Sequence, residues 1–176
     1  MENEEKVYTK KEVFSEMMKK LYVFAKVCYI ICLIAAPVLV ILGVVFGLNN
    51  TIDGRTTGET IISFSVLALY AFSAAGLLWN VEMLFKDMGE NGSPFSEKSG
   101  HYITKTARFL LILSVVPALI GKIAMGILSG ITKAESELQF DFGFGGIIFG
   151  LILLYISLAF DYGYKLENKD KEKNKE

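Results

Sequence analysis

The stretch VCYIICLIAAPVLVILGVVFGL, residues Val27–Leu48, contains 22 consecutive residues without a charged side chain. About 20 helical residues cross the roughly 30 Å hydrocarbon core of a bilayer, so this stretch is long enough to span it. Three further apolar runs follow, at Thr60–Phe85, Ala107–Gly130 and Gly145–Tyr164. None alternates with the period of a barrel strand, so all four are predicted to be helices. The sequence therefore predicts an all-α fold, a four-helix transmembrane bundle forming a single integral membrane domain over residues 1–176.

The composition also favours a membrane protein. Apolar residues make up 52% of the 176-residue chain, its mean hydropathy is +0.43, and its formal net charge is −1. That charge disfavours direct binding of nucleic acid, and one His with two Cys disfavours a metalloenzyme. No nucleophile elbow, HExxH pattern or phosphate-binding loop is present, so neither an enzymatic activity nor a cofactor is predicted.

The basic residues orient the spans. Fifteen Lys and Arg residues lie in the N-terminal segment, the C-terminal segment and the middle loop with its flanks, whereas the other two loops hold only Arg55 and Lys133. By the positive-inside rule, both tails (1–20 and 165–176) and the middle loop should be cytoplasmic. No small-residue cleavage pattern follows the first run, so we expect a span there rather than a signal peptide. These features predict a multi-pass membrane protein with both ends of the chain in the cytoplasm.

Two elements are expected outside the spans. Thr9–Glu12 is typical of a capping box, and the apolar residues that follow share one helical face, which predicts an N-terminal amphipathic helix on the inner leaflet. A plain helical extension of the first span explains the pattern equally well. Alternation over Glu137–Phe144 indicates a short strand, and Thr51–Thr57 is its candidate partner in a two-stranded outer hairpin.

The middle loop leads into a basic helical face. Gly89 and Gly92 are expected to end the second helix, and Ser93 with Pro94 to begin the third. Four residues then fall at i, i+3, i+7 and i+10 and share one face of that helix: Lys98, His101, Lys105 and Arg108. This cationic face would suit anionic lipid or an acidic partner. The favoured interpretation is a solvated face that obeys the positive-inside rule.

Three ionisable residues lie within the spans or at their edges: Glu82, Lys122 and Asp161. The two carboxylates are near the cytoplasmic ends of spans two and four, where Arg108 would join them in one cluster. Lys122 lies nearer the outer end of span three, where a charge costs several kcal/mol and is a functional hypothesis by default. The favoured alternative is snorkelling, or pairing with one of three acidic residues: Glu135, Glu137 or Asp141.

Small residues and prolines recur inside the spans. Three GxxxG pairs predict close helix approach: Gly43 with Gly47, Gly126 with Gly130, and Gly146 with Gly150. Packing within the monomer is favoured over a homo-oligomer face. Pro37 and Pro117 fall near the middle of two spans and should kink them, at about the depth of Ser73 and Tyr155. A polar-edged cavity there would suit a lipid-like or small apolar ligand, although structural kinks are the favoured account.

Two segments resemble a known family. GSPFSEKSGHYITKTARFLLIL (Gly92–Leu113) resembles the pattern G-x-P-F-x-x-x-N, followed by basic residues and an apolar helix, of the domain of unknown function 2975 family, with Ser99 at the Asn position. LILLYISLAFDYGYKLENKDK (Leu151–Lys171) resembles the end of that family's last helix. The resemblance implies a small bacterial membrane protein with four spans and no known catalytic residue. Some members are encoded beside a small helix-turn-helix repressor.

Patterned sequence is concentrated on the predicted cytoplasmic side. The leading hypothesis is a non-enzymatic interaction or regulatory protein that binds a cytoplasmic partner, such as a helix-turn-helix repressor. Its predicted partner surface combines the cationic face with Pro94, Phe95, Tyr162 and Tyr164, and Pro94–Phe95 is expected to pack on Tyr162–Leu166 or to dock a partner with it. One alternative is a small transporter or lipid-binding protein that uses Lys122 and the mid-span prolines. Another is an immunity or stress protein.

Overall fold

The chain forms four long helices in a computed structural model that describes residues 2–49, 55–132 and 140–173. These are α1 (Glu2–Leu48), α2 (Thr57–Asn91), α3 (Glu97–Thr132) and α4 (Phe144–Lys173). Each contains a stretch long and apolar enough to cross a membrane. The predicted all-α architecture with four candidate membrane-spanning helices is thus confirmed, and the chain is a multi-pass membrane protein.

The helices pack through small residues and leave large apolar ones outside. Ala75, Ala107 and Ala118 are almost completely buried. Phe72 and Ile127, by contrast, have 63% and 61% of their surface exposed. Lipid is as apolar as these side chains, so membrane helices associate through close packing at small residues rather than by burying large ones.

The N-terminal segment continues α1 and is not a separate surface helix. Because residues 2–48 form one helix, Thr9 lies inside it and does not cap its start. The Ser15 hydroxyl donates to the Gly89 carbonyl of α2 at 2.8 Å, and Met18 is buried beside it. The prediction of a separate amphipathic helix was wrong, since α2 provides packing for this segment. The alternative, a plain extension of the first span, is the one observed.

A side-chain cap begins α2, and a glycine follows its last residue. The Glu59 carboxylate accepts the Thr56 N–H at 2.8 Å, and the Thr56 hydroxyl accepts the Glu59 N–H at 3.3 Å, a capping box that begins α2. Gly92 follows the last residue of α2 with φ 60°, a left-handed conformation that glycine adopts without strain. The helix passes through Gly89, which therefore does not end it.

The first turn of α3 begins three residues later than predicted. The Ser96 hydroxyl accepts the Ser99 N–H at 3.1 Å, as an N-cap does. Ser93 instead accepts the Phe95 N–H at 3.2 Å, which closes a local turn. Pro94 therefore lies in the turn, and the prediction that it opens the helix was wrong.

The predicted outer hairpin is not supported. Within the described residues, 55–56 and 140–143 are non-helical without being strands, and Thr57 and Phe144 already belong to helices. The other residues of the predicted strands, 51–54 and 137–139, lie outside the described ranges. The Gly143 N–H donates to the Ser114 carbonyl of α3 at 3.0 Å, so a helix, not a second strand, supplies its partner.

Contacts divide the chain into two packing units. The first unit comprises Met1–Cys28, Leu77–Arg108 and Phe149–Glu176, and the second comprises Tyr29–Gly76 and Phe109–Ile148. Every helix contributes residues to both. The first unit contains the predicted partner surface, and the second contains Lys122 and both mid-span prolines.

Candidate partner-binding surface

Three hydrogen-bonded side chains connect α2 and α3 across the turn between them in the first unit. The carboxylate of Asp87 accepts a hydrogen bond from the Ser96 hydroxyl and a long one, at 3.5 Å, from the Ser99 hydroxyl. The two hydroxyl oxygens lie 2.9 Å apart, and Ser99 is fully buried. This Ser–Asp cluster (Asp87, Ser96 and Ser99) ties the end of α2 to the start of α3. The sequence did not predict this cluster: Ser96 is of a residue type favoured at helix N-caps, but its contact with Asp87 on another helix has no sequence signal.

Phe95 anchors the same turn to α4. Its ring centroid lies 5.4 Å from that of Phe160. A Cβ placed on Gly163 would come within 2.7 Å of the Phe95 ring, so the absence of a side chain at Gly163 makes room for the ring. The expected packing of Phe95 against the 162–166 segment is thus confirmed. Phe95 remains 40% exposed, Tyr162 is exposed and Tyr164 is half-buried.

The cationic face of α3 (Lys98, His101, Lys105 and Arg108) is exposed. All four of its residues are exposed, whereas Ser99, Ile103 and Ala107 on the other side of the helix are buried. In the described part of the chain, none of the four makes an ion pair. The shared face that the spacing predicts is therefore present, beside the exposed part of Phe95.

The predicted carboxylate–guanidinium cluster does not form among the described residues. Glu82 is buried at 6% exposure, Arg108 is exposed, and no ion pair joins Arg108 to Glu82 or to Asp161. The Asp161 carboxylate instead lies directly against the Cα of Gly100, in the space a side chain there would fill. Glu82 thus lies on a buried side of α2 and Arg108 on an exposed side of α3, and residue spacing along one helix does not predict which sides of two helices face each other.

In the second unit, Lys122 meets an aromatic ring rather than an acid. Its ammonium nitrogen lies 4.4 Å from the centroid of the Phe142 ring, within the range of a cation–π interaction. The side chain is exposed, and it makes no ion pair with Asp141. Glu135 and Glu137 lie outside the described residues.

The GxxxG glycines fall into two groups. Gly43 and Gly47 of α1 face Phe64 and Ile61 of α2, and Gly146 of α4 faces Ser114 of α3. Gly150 is buried. These contacts confirm packing within the monomer for α1 and α4. Among the described residues, no atom lies within 4 Å of the position that a Cβ on Gly126 or Gly130 of α3 would take, so the close approach predicted for this pair is not found there.

A groove of about 480 Å³ lies beside Pro37 in the second unit. Its walls come from α1 and α2: Ala36, Pro37, Val40, Ser65, Ala68, Leu69 and Phe72. The groove lies beside one of the two mid-span prolines, and Ser73 is not among its lining residues. Pro117 is completely buried, and Tyr155, which was expected near the cavity, is 77% exposed.

No protein-family model, curated protein or solved structure matches this chain. The similarity of the two quoted segments to the domain of unknown function 2975 family accordingly remains a prediction.

Proposed function

We propose that this protein acts, without enzymatic activity, as an interaction or regulatory protein of the bacterial cytoplasmic membrane. Its proposed partner is a cytoplasmic protein with an acidic segment, such as a helix-turn-helix repressor. The partner would bind the cationic face together with Phe95 and Tyr162. The single observation that carries this proposal is the display of four basic side chains on one face of α3, without ion pairs in the described part of the chain.

The surroundings of the cationic face favour binding. The Ser–Asp cluster and the packing of Phe95 on Gly163 hold the start of α3 in place. A surface that is already ordered loses less conformational entropy when it binds. Exposed positive charges speed the encounter with an acidic partner, and a half-exposed aromatic ring beside them provides apolar contact area.

The charge distribution supports a cytoplasmic location for this surface. Most of the basic residues of the chain lie in the N-terminal segment, in the C-terminal segment and in the parts of α2 and α3 that flank the turn between them. Under the positive-inside rule they share the cytoplasmic side. A soluble regulator would therefore reach the cationic face from the cytoplasm.

The proposal is tested by purifying the tagged protein from its native membranes in mild detergent and identifying co-purifying proteins by mass spectrometry. We expect a stoichiometric soluble protein, and about tenfold lower recovery with the double variant Lys98→Gln/Lys105→Gln, which corresponds to about 1.4 kcal/mol of binding free energy. The matched control, Lys11→Gln/Lys19→Gln, removes the same charge from exposed positions of α1 and should retain the partner. Equal recovery with both double variants would contradict the proposal.

The groove beside Pro37 favours a second candidate, a protein that binds a lipid-like or small apolar ligand. The groove combines apolar walls with the hydroxyl of Ser65, a composition typical of sites for small apolar ligands. In the same purification, a bound lipid with no partner protein would favour this candidate over the first.

A further inference from the structure

Residues 140–143 are non-helical and run alongside α3. The Phe140 ring lies over Gly121, where a Cβ would come within 2.8 Å of it, and the Gly143 N–H bonds to the Ser114 carbonyl at 3.0 Å. Seven helical residues separate Gly121 from Ser114, a rise of about 10 Å. Residues 140–143 therefore run along α3 between these two levels, and the Phe144 N–H bonds back to the Phe142 carbonyl at 2.9 Å where α4 begins.

This segment lies deep beside the apolar run of α3. Ser114 is sixteen residues before Gly130, where the run ends, and Gly121 is nine residues before it. At 1.5 Å per residue these levels are about 24 Å and about 14 Å from the end of the run. The hydrocarbon core is about 30 Å thick. Residues 140–143 therefore reach and pass the middle of the layer that α3 crosses.

Lipid cannot satisfy the backbone at this depth. Among the described residues, the N–H groups of Phe140, Asp141 and Phe142 have no hydrogen-bond partner. Each such group costs several kcal/mol in hydrocarbon, so non-helical backbone occurs there only inside protein or along a water-filled cavity. Asp141 and Gly143 are exposed, which excludes burial within the chain as the explanation for these two residues.

Two exposed charged residues lie at the same level. The ammonium group of Lys122 lies over the Phe142 ring, and Asp141 is the residue before Phe142 in the sequence. Two charges that are not paired with each other would be very unfavourable in contact with lipid tails. Water at this level would hydrate both charges and the unpaired backbone groups together.

We infer that residues 140–143 form a non-helical part of the fourth membrane crossing, ahead of α4, and line a water-filled vestibule. The vestibule opens at the end of α3 near Thr132 and extends at least to the level of Asp141. It admits water and small hydrophilic ions, and Lys122 is its positively charged wall residue. This inference rests on contacts within the second unit and is independent of the partner surface in the first unit.

The test measures the reaction of single cysteines with a charged, membrane-impermeant methanethiosulfonate reagent in native membranes. Cys28 and Cys32 are first replaced by Ala, and then Asp141→Cys or Lys122→Cys is introduced at an exposed position. The reagent attacks the thiolate, which forms in water and not in lipid. We expect both cysteines to react at least about ten times faster than the control Ile127→Cys, a 61% exposed residue of α3 closer to its end.

Two results would overturn the inference. If neither Asp141→Cys nor Lys122→Cys reacts faster than Ile127→Cys, and all three react slowly, the segment is sealed from water. If Ile127→Cys reacts as fast as the other two, the end of α3 projects from the membrane and no vestibule is needed. Elution of each variant as the same species as the parent in size-exclusion chromatography shows that the comparison is between folded proteins.

Discussion

Single glycines decide where helices of this protein come close together. At Gly163 the Phe95 ring occupies the space of the missing side chain, whereas Gly126 has open space at the same position. Both lie inside helices, so their backbone preferences are alike. The effect of adding one methyl group should therefore depend on the neighbour and not on the helix.

We expect Gly163→Ala to destabilise the protein by about 1–3 kcal/mol, because the new methyl group would overlap the Phe95 ring and force it off α4. The measurement is the thermal unfolding midpoint in detergent. Gly126→Ala is the matched control and should leave the midpoint unchanged or raise it, since Ala stabilises helices relative to Gly by roughly 0.5–1 kcal/mol. Equal destabilisation by both substitutions would show that the contact with Phe95 does not matter.

At the level of the helix, the start of α3 depends on one hydroxyl with two functions. Ser96 caps the helix through the Ser99 N–H and also donates to Asp87 of α2. Ser93 and Ser96 are both plausible caps by sequence. The choice between them depends on the carboxylate of Asp87, which belongs to α2. The spacing of residues within α3 carries no information about that contact.

We expect Ser96→Ala to cost about 1–2 kcal/mol, since it removes the N-cap and leaves the Asp87 carboxylate without one of its donors. Hydrogen exchange of the first turn of α3, measured by mass spectrometry, should become faster. Ser93→Ala removes a hydroxyl from the same turn and should speed exchange there much less. If the two variants exchange alike, Ser96 is not the residue that holds the helix start.

For the whole molecule, the asymmetry of Lys and Arg predicts the orientation in the membrane. Fifteen basic residues lie in the N-terminal segment up to Lys26, in the C-terminal segment and in the middle loop with its flanks, against Arg55 and Lys133 in the other loops. Four spans place both ends of the chain on one side, and the rule assigns that side to the cytoplasm.

This orientation is checked with alkaline phosphatase fusions, because the enzyme needs disulfides that form only outside the cytoplasm. Fusions after Gly92 and after Glu176 should be inactive, and a fusion after Arg55 should be active. The reverse pattern would place the tails outside and would also remove the cytoplasmic location from the proposed partner surface. Immunoblots of each fusion control for differences in expression.

The sequence by itself determined the four spans, the exposed cationic face and the close approach at Gly43, Gly47 and Gly146. These features depend on local quantities, namely the length and hydropathy of a run and the spacing of residues on one helix. The tertiary structure alone decided that Asp161 lies on Gly100 and that residues 140–143 descend along α3. Each of these contacts joins residues far apart in the chain, and in lipid most apolar helix faces are equivalent, so packing geometry rather than hydropathy selects among them.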